Sequence, residues 1–289
     1  MTPSVSEDRG RRFLVAALVI GLIVAGWVMV DVATHGSLGL GPVLAPGTTL
    51  EVPGGSASRI SVTGDRLEIV LQSSHGANTA QVVVGSDGFR RDARAPAGTF
   101  GLRLDTGAAL QNGTRRLTLI LPENGTLSLT VVGGGRVTMD RVRLGQLHVT
   151  GVSSSLDLDA GTPGSSVDLL QIESATGGLS SEHLGSLNMT QLVIDSIVGH
   201  YDLDLSGTVD RPCEVTVRSV VGSGVLRFSG GIGAQVVVKS IVGSVAAAGF
   251  VDEGGRSYLN KAARTEGAPR LVVRIESAVG QIQLMEVQQ

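Results

Sequence analysis

A short segment built around Ser-x-x-Gly recurs through the second half of the 289-residue chain. It is clearest as SIVGHYDLDL, SVVGSGVLRF, SIVGSVAAAG and SAVGQIQL. Intervals of 22, 23, 21 and 37 residues separate the successive glycines Gly177, Gly199, Gly222, Gly243 and Gly280. A period near 22 residues is typical of solenoids, in which each repeat buries its apolar side against its neighbours. The repeat therefore limits this part of the chain to a stack of similar turns.

Apolar residues at two fixed positions of the repeat indicate which side chains fill the stack. In parallel stacked strands, residues at the same repeat position become cross-strand neighbours about 4.8 Å apart. A column of like apolar residues is therefore expected to point inward. The first column lies five positions before the glycine and the second four positions after it: Ile172, Ile194, Val217, Val238 and Ile275, then Leu203, Leu226, Ala247 and Leu284.

Charged residues follow the first apolar column directly and are expected to face water. This charged column consists of Glu173, Asp195, Arg218, Lys239 and Glu276. Stacking in chain order places Asp195 beside Arg218, which is a favourable pair. It also places Lys239 between Arg218 and Glu276, so one of its two neighbours would repel it. A second pair, Asp204 and Arg227, is expected to meet across neighbouring turns.

Alternating runs such as RISVTGDRLEIVL and TLSLTVVG fill the chain from Leu50 to the repeats. Period-2 alternation bounded by Gly, Asn-Gly and Ser predicts strands. The segment HVTGVSSSLDLD around Gly151 is similar to an earlier turn, and the runs before it are either degenerate turns or a separate β-layer. We predict an all-β domain, a single-sheet or right-handed parallel β-solenoid. Residues 50–171 form its amino-terminal part and residues 172–289 its regular repeats.

An unbroken apolar run occupies residues 13–30. Its 18 residues would span about 27 Å as a helix, close to the thickness of the hydrocarbon core. Arg9, Arg11 and Arg12 precede it, and the next Lys or Arg is Arg59, so the positive-inside rule places the amino terminus in the cytoplasm. We expect a cytoplasmic tail at 1–12, one transmembrane helix at 13–30 and a Gly/Pro-rich stalk at 31–49. The chain would then be a single-pass plasma-membrane protein with an extracytoplasmic carboxy-terminal domain.

Composition argues against several classes of function. A net charge of −3 with two lysines, Lys239 and Lys261, gives no electrostatic basis for binding nucleic acid. Cys213 is the single cysteine, and the five histidines show no metal-ligand spacing. The sequence contains neither a Gly-x-Ser-x-Gly elbow nor a phosphate-binding loop. We therefore predict no catalytic residue, no metal site and no cofactor.

Two pairs of aspartates keep an enzymatic alternative open. Asp157 with Asp159, and Asp202 with Asp204, are spaced so that both carboxylates of a pair lie on one strand face. Parallel β-coils that cleave polysaccharides use paired carboxylates to move protons or bind calcium. Asp-Leu-Asp is also the ordinary pattern of a half-buried strand, and we favour that interpretation.

An insertion lengthens the last interval of the repeat, with the sequence GFVDEGGRSYLNKAARTEGAPR at 249–270. Such insertions form loops on one side of a solenoid, and they either bind a ligand or cover the open end of the stack. We take Tyr258 of this insert, together with the exposed charges, as the candidate interaction surface. Its members are Asp195, Arg218, Lys239, Glu276, Asp204, Arg227 and Tyr258.

The carboxy-terminal part from Ile172 resembles the toastrack-type adhesin domain of bacterial membrane and envelope-response proteins. The resemblance is carried by SIVGHYDLDL, VRSVVGSGVLRF, GGIGAQVVVKSIVGSVAAAGF, the tyrosine-containing RSYLNKAA and the closing LVVRIESAVGQIQL. It implies a β-coil, commonly anchored by a transmembrane segment, with a role in envelope stress signalling or surface interactions. The resemblance supplies no catalytic residues.

From these observations we expect a non-enzymatic interaction, scaffold, envelope-sensing or adhesion module. Its expected partners are the membrane and a protein or another component of the cell envelope, and a homo-oligomer is compatible with the sequence. Two alternatives are a carbohydrate-active β-helix enzyme and a polymerising, bactofilin-like scaffold whose turns stack end to end.

Overall fold

The computed structural model describes residues 40–53, 55, 57–93, 95–104, 114–152, 155–266 and 270–287. The predicted tail, the predicted transmembrane helix 13–30 and the first part of the predicted stalk lie outside these residues. Within the described ranges, no helix has the length and apolar character needed to cross a bilayer.

In the described residues, strands make up nearly all of the regular structure. One short helix, α1 (Lys261–Glu266), and one 3-10 turn (Leu184–Ser186) accompany them there. The strands are β1 (Leu40–Val43), β2 (Thr49–Val52), β3 (Ala57–Thr63), β4 (Leu67–Ser74), β5 (Ala80–Val84), β6 (Phe89–Asp92), β7 (Phe100–Leu104), β8 (Arg115–Pro122), β9 (Gly125–Val132), β10 (Gly135–Asp140), β11 (Arg143–Val152), β12 (Leu156–Asp159), β13 (Ser166–Glu182), β14 (Gln191–Asp204), β15 (Cys213–Ser229), β16 (Ala234–Ala248), β17 (Phe250–Asp252), β18 (Ser257–Asn260) and β19 (Leu271–Val287). The all-β prediction is confirmed. Strand β1 lies within the predicted stalk, and β2 begins at the last residue of the stalk.

All nineteen strands of the described ranges belong to one continuous, curled sheet. The five long strands β13, β14, β15, β19 and β16 bend in the middle. Their first halves extend the row β1-β6-β7-β3-β9-β11, and their second halves extend the row β2-β5-β8-β4-β10-β12. The runs before the regular repeats are therefore part of the same sheet.

Both predicted apolar columns line one hydrophobic core. The first column, from Ile172 to Ile275, is at most 2% exposed. In the second, Leu203, Leu226 and Leu284 are fully buried, whereas Ala247 is partly buried. The turn around Gly151 also exists, but its register differs from the later turns: Gly151 lies opposite Ser174 rather than opposite Gly177.

The order of the last turns differs from chain order. Strand β19 lies between β15 and β16, with Ile275 opposite both Val217 and Val238. The insert lies on the far side of β16, where β18 pairs antiparallel with the first half of its outer edge, and β16 is the last long strand of the stack. The expectation that Arg218 and Lys239 are neighbours is wrong, since Glu276 lies between them.

The glycine column lies at the bend, where successive turns approach most closely. An added Cβ on Gly199 would overlap the carbonyl oxygen of Gly177, and one on Gly222 would overlap that of Gly199. The same relation holds between Gly280 and Gly222, which are neighbours in the observed strand order. The contacting atoms are backbone, so they cannot move aside as a flexible side chain would. Glycine is therefore required at these positions for the stack to close.

We expect Gly222→Ala to lower the free energy of unfolding by about 1–3 kcal/mol, the usual range for overpacking in a closely packed interior. Gly231→Ala is the matched control, because its added Cβ would meet no atom within 4 Å. The control should change stability by no more than about 0.5 kcal/mol. Thermal or denaturant melting of the two variants measures the difference, and equal losses would contradict the packing argument.

A disulfide can test the position of β19. The hydroxyl oxygens of Ser219 and Ser277 lie 3.2 Å apart on adjacent strands. We expect the double variant Ser219→Cys/Ser277→Cys to form an intramolecular disulfide under mild oxidation, detected by mass spectrometry of the unreduced protein. In the control Ser196→Cys/Ser277→Cys the two positions are two strands apart, about 9.6 Å, which is beyond disulfide reach. A disulfide in the control alone would contradict the strand order.

Candidate functional site

The bend of the long strands places an extra residue on the outside of the molecule. In β15, Val217 is buried and Ser219, two residues later, is the next position on the inward face. The following inward position is Gly224, five residues after Ser219. Four residues between them, Val220 to Ser223, lie on the outer side of the bend. Strict alternation would bury the residue before the glycine, and the bend exposes it.

A row of valines occupies this exposed position in four adjacent turns, and we call it the valine ridge. Cross-strand pairing places its members side by side in the order Val198, Val221, Val279, Val242. They are 42, 37, 39 and 59% exposed, respectively. Three strand spacings of about 4.8 Å make the ridge about 14 Å long. Thr176 occupies the same position in the preceding turn and ends the apolar row.

Polar residues border the valine ridge on one side. His200, Ser223, Gln281 and Ser244 follow the glycines of successive turns and are exposed. The imidazole Nδ1 of His200 and the hydroxyl of Ser223 are 2.9 Å apart. An exposed apolar row with a polar margin has the composition of a protein-binding surface.

The charged column borders the ridge on the other side, beyond the serine column. Its order across the sheet is Glu173, Asp195, Arg218, Glu276, Lys239. Arg218 donates from Nε and Nη2 to the two carboxylate oxygens of Asp195, at 2.8 and 3.2 Å. Lys239 Nζ lies 3.8 Å from Glu276 Oε1. The two predicted ion pairs are thus present, and Glu276 separates the two cations.

Asp195 is a residue of this column whose carboxyl pKa departs clearly from its usual value. Burial raises the pKa of its carboxyl above the usual value, and the negative charge of Glu173 acts in the same direction. The guanidinium of Arg218 opposes both effects without cancelling them. Such half-exposed ion pairs contribute about 0–1 kcal/mol each, so the column sets register more than stability.

The predicted pair Asp204 and Arg227 lies in register on neighbouring strands, but its side chains bind elsewhere. Arg227 donates to both carboxylate oxygens of Asp202, one of them at 2.8 Å. The carboxylate of Asp204 accepts the backbone N–H of Ser206 at 2.9 Å and that of His183 at 3.3 Å. The predicted contact between Asp204 and Arg227 is therefore replaced by the bidentate pair between Arg227 and Asp202.

The insert covers part of the end of the stack. Asn260 is fully buried: its Oδ1 accepts the backbone N–H groups of Ala234 and Ala263, at 2.9 and 3.0 Å, and its Nδ2 donates to the carbonyl of Ile232 at 2.8 Å. This side chain caps α1 and ties the insert to the start of β16. Tyr258 is only 9% exposed, so its predicted place on an exposed interaction surface is wrong. The ring packs into the core instead.

The second pair of candidate carboxylates is also committed to protein partners. Asp157 accepts the hydroxyl of Ser180, and Asp159 accepts the guanidinium of Arg136 at 2.7 Å. Arg136 also donates to Glu182 at 2.7 Å. Asp159, Glu182 and His183 bring three potential metal-ligand atoms within 4.8 Å of one another. The arginine supplies a positive charge to both carboxylates, so this cluster works as an ion-pair network linking β10, β12 and β13.

The pKa of Asp159 makes this network sensitive to acid. Burial raises the pKa, but the hydrogen bonds from Arg136 and from the backbone N–H of Gly161, together with the charges of Arg136 and His183, outweigh that effect and hold the pKa below the ordinary value of 3.8. The network therefore stabilises the fold above pH 3.8 and loses this contribution as the pH falls through the lower folded-state pKa.

We expect Asp159→Asn to destabilise the chain at neutral pH and to differ less from the wild type as the pH falls below 4. The reason is that the amide keeps the shape of the carboxyl but loses the charge that Arg136 binds. Denaturant unfolding at a series of pH values measures the gap between the two proteins. Asp65→Asn, at an exposed position, is the control and should follow the wild type. A gap for Asp159→Asn that stays constant with pH would contradict the assignment.

Comparison with known proteins gives several distant structural matches, two of them to provisionally described adhesion proteins of bacteria. No protein-family model and no curated protein sequence matches this chain. A solved structure provisionally described as a cell adhesion protein from Clostridium sporogenes is 17% identical, with a TM-score of 0.39, and the match covers 86% of this chain and 98% of that one. A provisionally described adhesin from Bacteroides fragilis is 13% identical, with a TM-score of 0.43, over 84 and 97% of the two chains. Their names agree with the toastrack-type adhesin resemblance.

Proposed function

We propose that the chain is a non-enzymatic, adhesion-like binding module that uses the valine ridge to hold a protein or another component of the cell envelope. The ridge is the observation that carries the proposal. Four adjacent turns each expose a valine at the same position, between a polar margin and a charged column. Six large apolar side chains are well exposed in the described part of the chain, and four of them are in this row.

The carboxylates support a binding role over the polysaccharide-cleaving alternative. A general acid or base needs a carboxyl that can reach its substrate and exchange a proton. Asp202 is held by Arg227 through both oxygens, and Asp204 accepts two backbone N–H groups. Asp157 and Asp159 are engaged in the same way, by Ser180 and Arg136. All four candidates act as strand-to-strand or strand-to-turn connections.

The placement of the module in the cell is the second part of the proposal. We propose that residues 13–30 anchor the chain in the plasma membrane, with the amino terminus in the cytoplasm and the sheet outside. The support is the length of the apolar run and the three arginines that precede it. In this arrangement the bends that carry the ridge are presented to the cell envelope, and envelope sensing and adhesion are the two roles compatible with it.

Site-specific photocrosslinking tests the ridge in the full chain in its own cells. We expect a benzophenone amino acid at Val221 to give a discrete adduct with a partner, because Val221 lies in the middle of the ridge. Arg141, whose side chain is 76% exposed on the connection between β10 and β11, is the control position and should give none.

A second substitution identifies the ridge as the cause of the adduct. Val279→Lys places a charge beside Val221 and should weaken an apolar contact about tenfold, or about 1.4 kcal/mol. The adduct should fall accordingly while the melting temperature stays unchanged. Equal adducts at Val221 and Arg141 would contradict the proposal. Turnover of a polysaccharide by the purified chain, abolished by Asp202→Ala, would favour the enzymatic alternative.

A further inference from the structure

The second half of β16 is a sheet edge that the described chain leaves open. Residues 243–248 pair with β19 on one side, up to Ala248 opposite Met285. On the other side, β18 pairs only with Gln235, Val236 and Val237, in the first half of the strand. None of the described strands pairs with the outer side of residues 243–248. Backbone N–H and C=O groups on this side are therefore available to another strand.

The hydrophobic core is also incomplete at this edge. Val245 and Ala247 point inward and pack against the core, but both remain partly exposed. Their neighbours on β19, Ile282 and Leu284, are 4 and 0% exposed. Strand β16 buries Ile282 and Leu284 by lying beside them, and no described strand does the same for Val245 and Ala247. One further strand on the outer side of β16 would bury these two side chains.

The residues of this edge place no obstacle to pairing. Residues 243–248 read GSVAAA and include neither a charged residue nor a proline, the features by which proteins usually block an edge. The opposite end of the same row is protected in that way. There β2 is four residues long, exposes Glu51 and is followed by Pro53. Strand β2 of a second molecule is therefore a poor pairing partner for the open edge of β16.

We propose that two copies of this chain pair through the open edges of β16, antiparallel and across a two-fold axis. The edge is uncharged, so pairing it with itself sets no like charges opposite each other. A two-fold contact uses the same surface on both copies and closes after two molecules, whereas a head-to-tail contact with β2 would continue into a filament. The dimer completes the core around Val245 and Ala247 in both copies. It involves no member of the valine ridge, so it stands or falls separately from the proposed function.

A cysteine at Ala246 tests the contact directly in the full-length chain. Ala246 is exposed near the middle of the edge, so two copies of Ala246→Cys should form an intermolecular disulfide under mild oxidation. Gln283→Cys is the matched control, because Gln283 is exposed and lies beside Ala246 on β19, one strand further in. In the dimer two such cysteines would be three strand spacings apart, about 14 Å, beyond the reach of a disulfide. Equal crosslinking of the two variants would overturn the proposal.

Charge variants at the same position identify the partner as a second copy. Ala246→Lys and Ala246→Glu should each weaken the dimer at least about tenfold, whereas Gln283→Lys should leave it unchanged. An equimolar mixture of the Lys and Glu variants should restore dimers, because opposite charges then meet at the axis. Light scattering of the full chain gives the masses, and an intact far-ultraviolet circular-dichroism spectrum with a cooperative melting transition shows that the variants are folded. A wild-type chain that stays monomeric at concentrations on the order of 100 μM, or a mixture that fails to reassociate, would overturn the proposal.

Discussion

Close approach of backbone to backbone at the bend is the constraint on which the rest of the molecule depends. Gly199, Gly222 and Gly280 each pack against the carbonyl oxygen of the glycine in a neighbouring turn, with no room for a side chain. This contact lets five long strands change direction at the same level and pass from one row of the sheet to the other. Because four consecutive residues lie on the outer side of the bend, Val220 to Ser223 in β15, the bend also exposes an apolar residue that ordinary alternation would bury. The same glycines therefore set both the shape of the stack and the position of the valine ridge.

The position of β19 determines which charged side chains are neighbours in the last turns. In chain order Arg218 and Lys239 would be adjacent and would repel each other. The observed order places Glu276 between them, so three of the four steps in the charged column join opposite charges. Each ion pair is weak in water, yet together they favour one arrangement of strands over another that has the same apolar columns. Charge here selects among topologies that hydrophobic burial alone would not distinguish.

Sequence patterns were sufficient for the all-β class, the inward columns and the pairs Asp195 with Arg218 and Lys239 with Glu276, because these depend only on repeat period and alternation. The strand order was not predictable in this way, since a period records which residues align and not which turns are neighbours. The valine ridge was missed for a different reason. A valine precedes the glycine in four of the five turns, but alternation assigns it to the interior, and only the geometry of the bend reverses that assignment. Tyr258 and Arg227 were misassigned because tertiary packing decides burial and partner choice within an insert or a crowded strand.

The insertion of β19 between β15 and β16 has a consequence for the order of folding events. During synthesis β15 and β16 emerge first, and their facing edges have no partner until residue 287 has left the ribosome. If they paired with each other in the meantime, they would have to separate again before the native sheet could form. Long-range strand pairing of this kind is slow, and it leaves strand edges exposed to aggregation while it is incomplete. The final turns of the sheet are therefore expected to assemble after translation, as a separate and slower step than the turns before them.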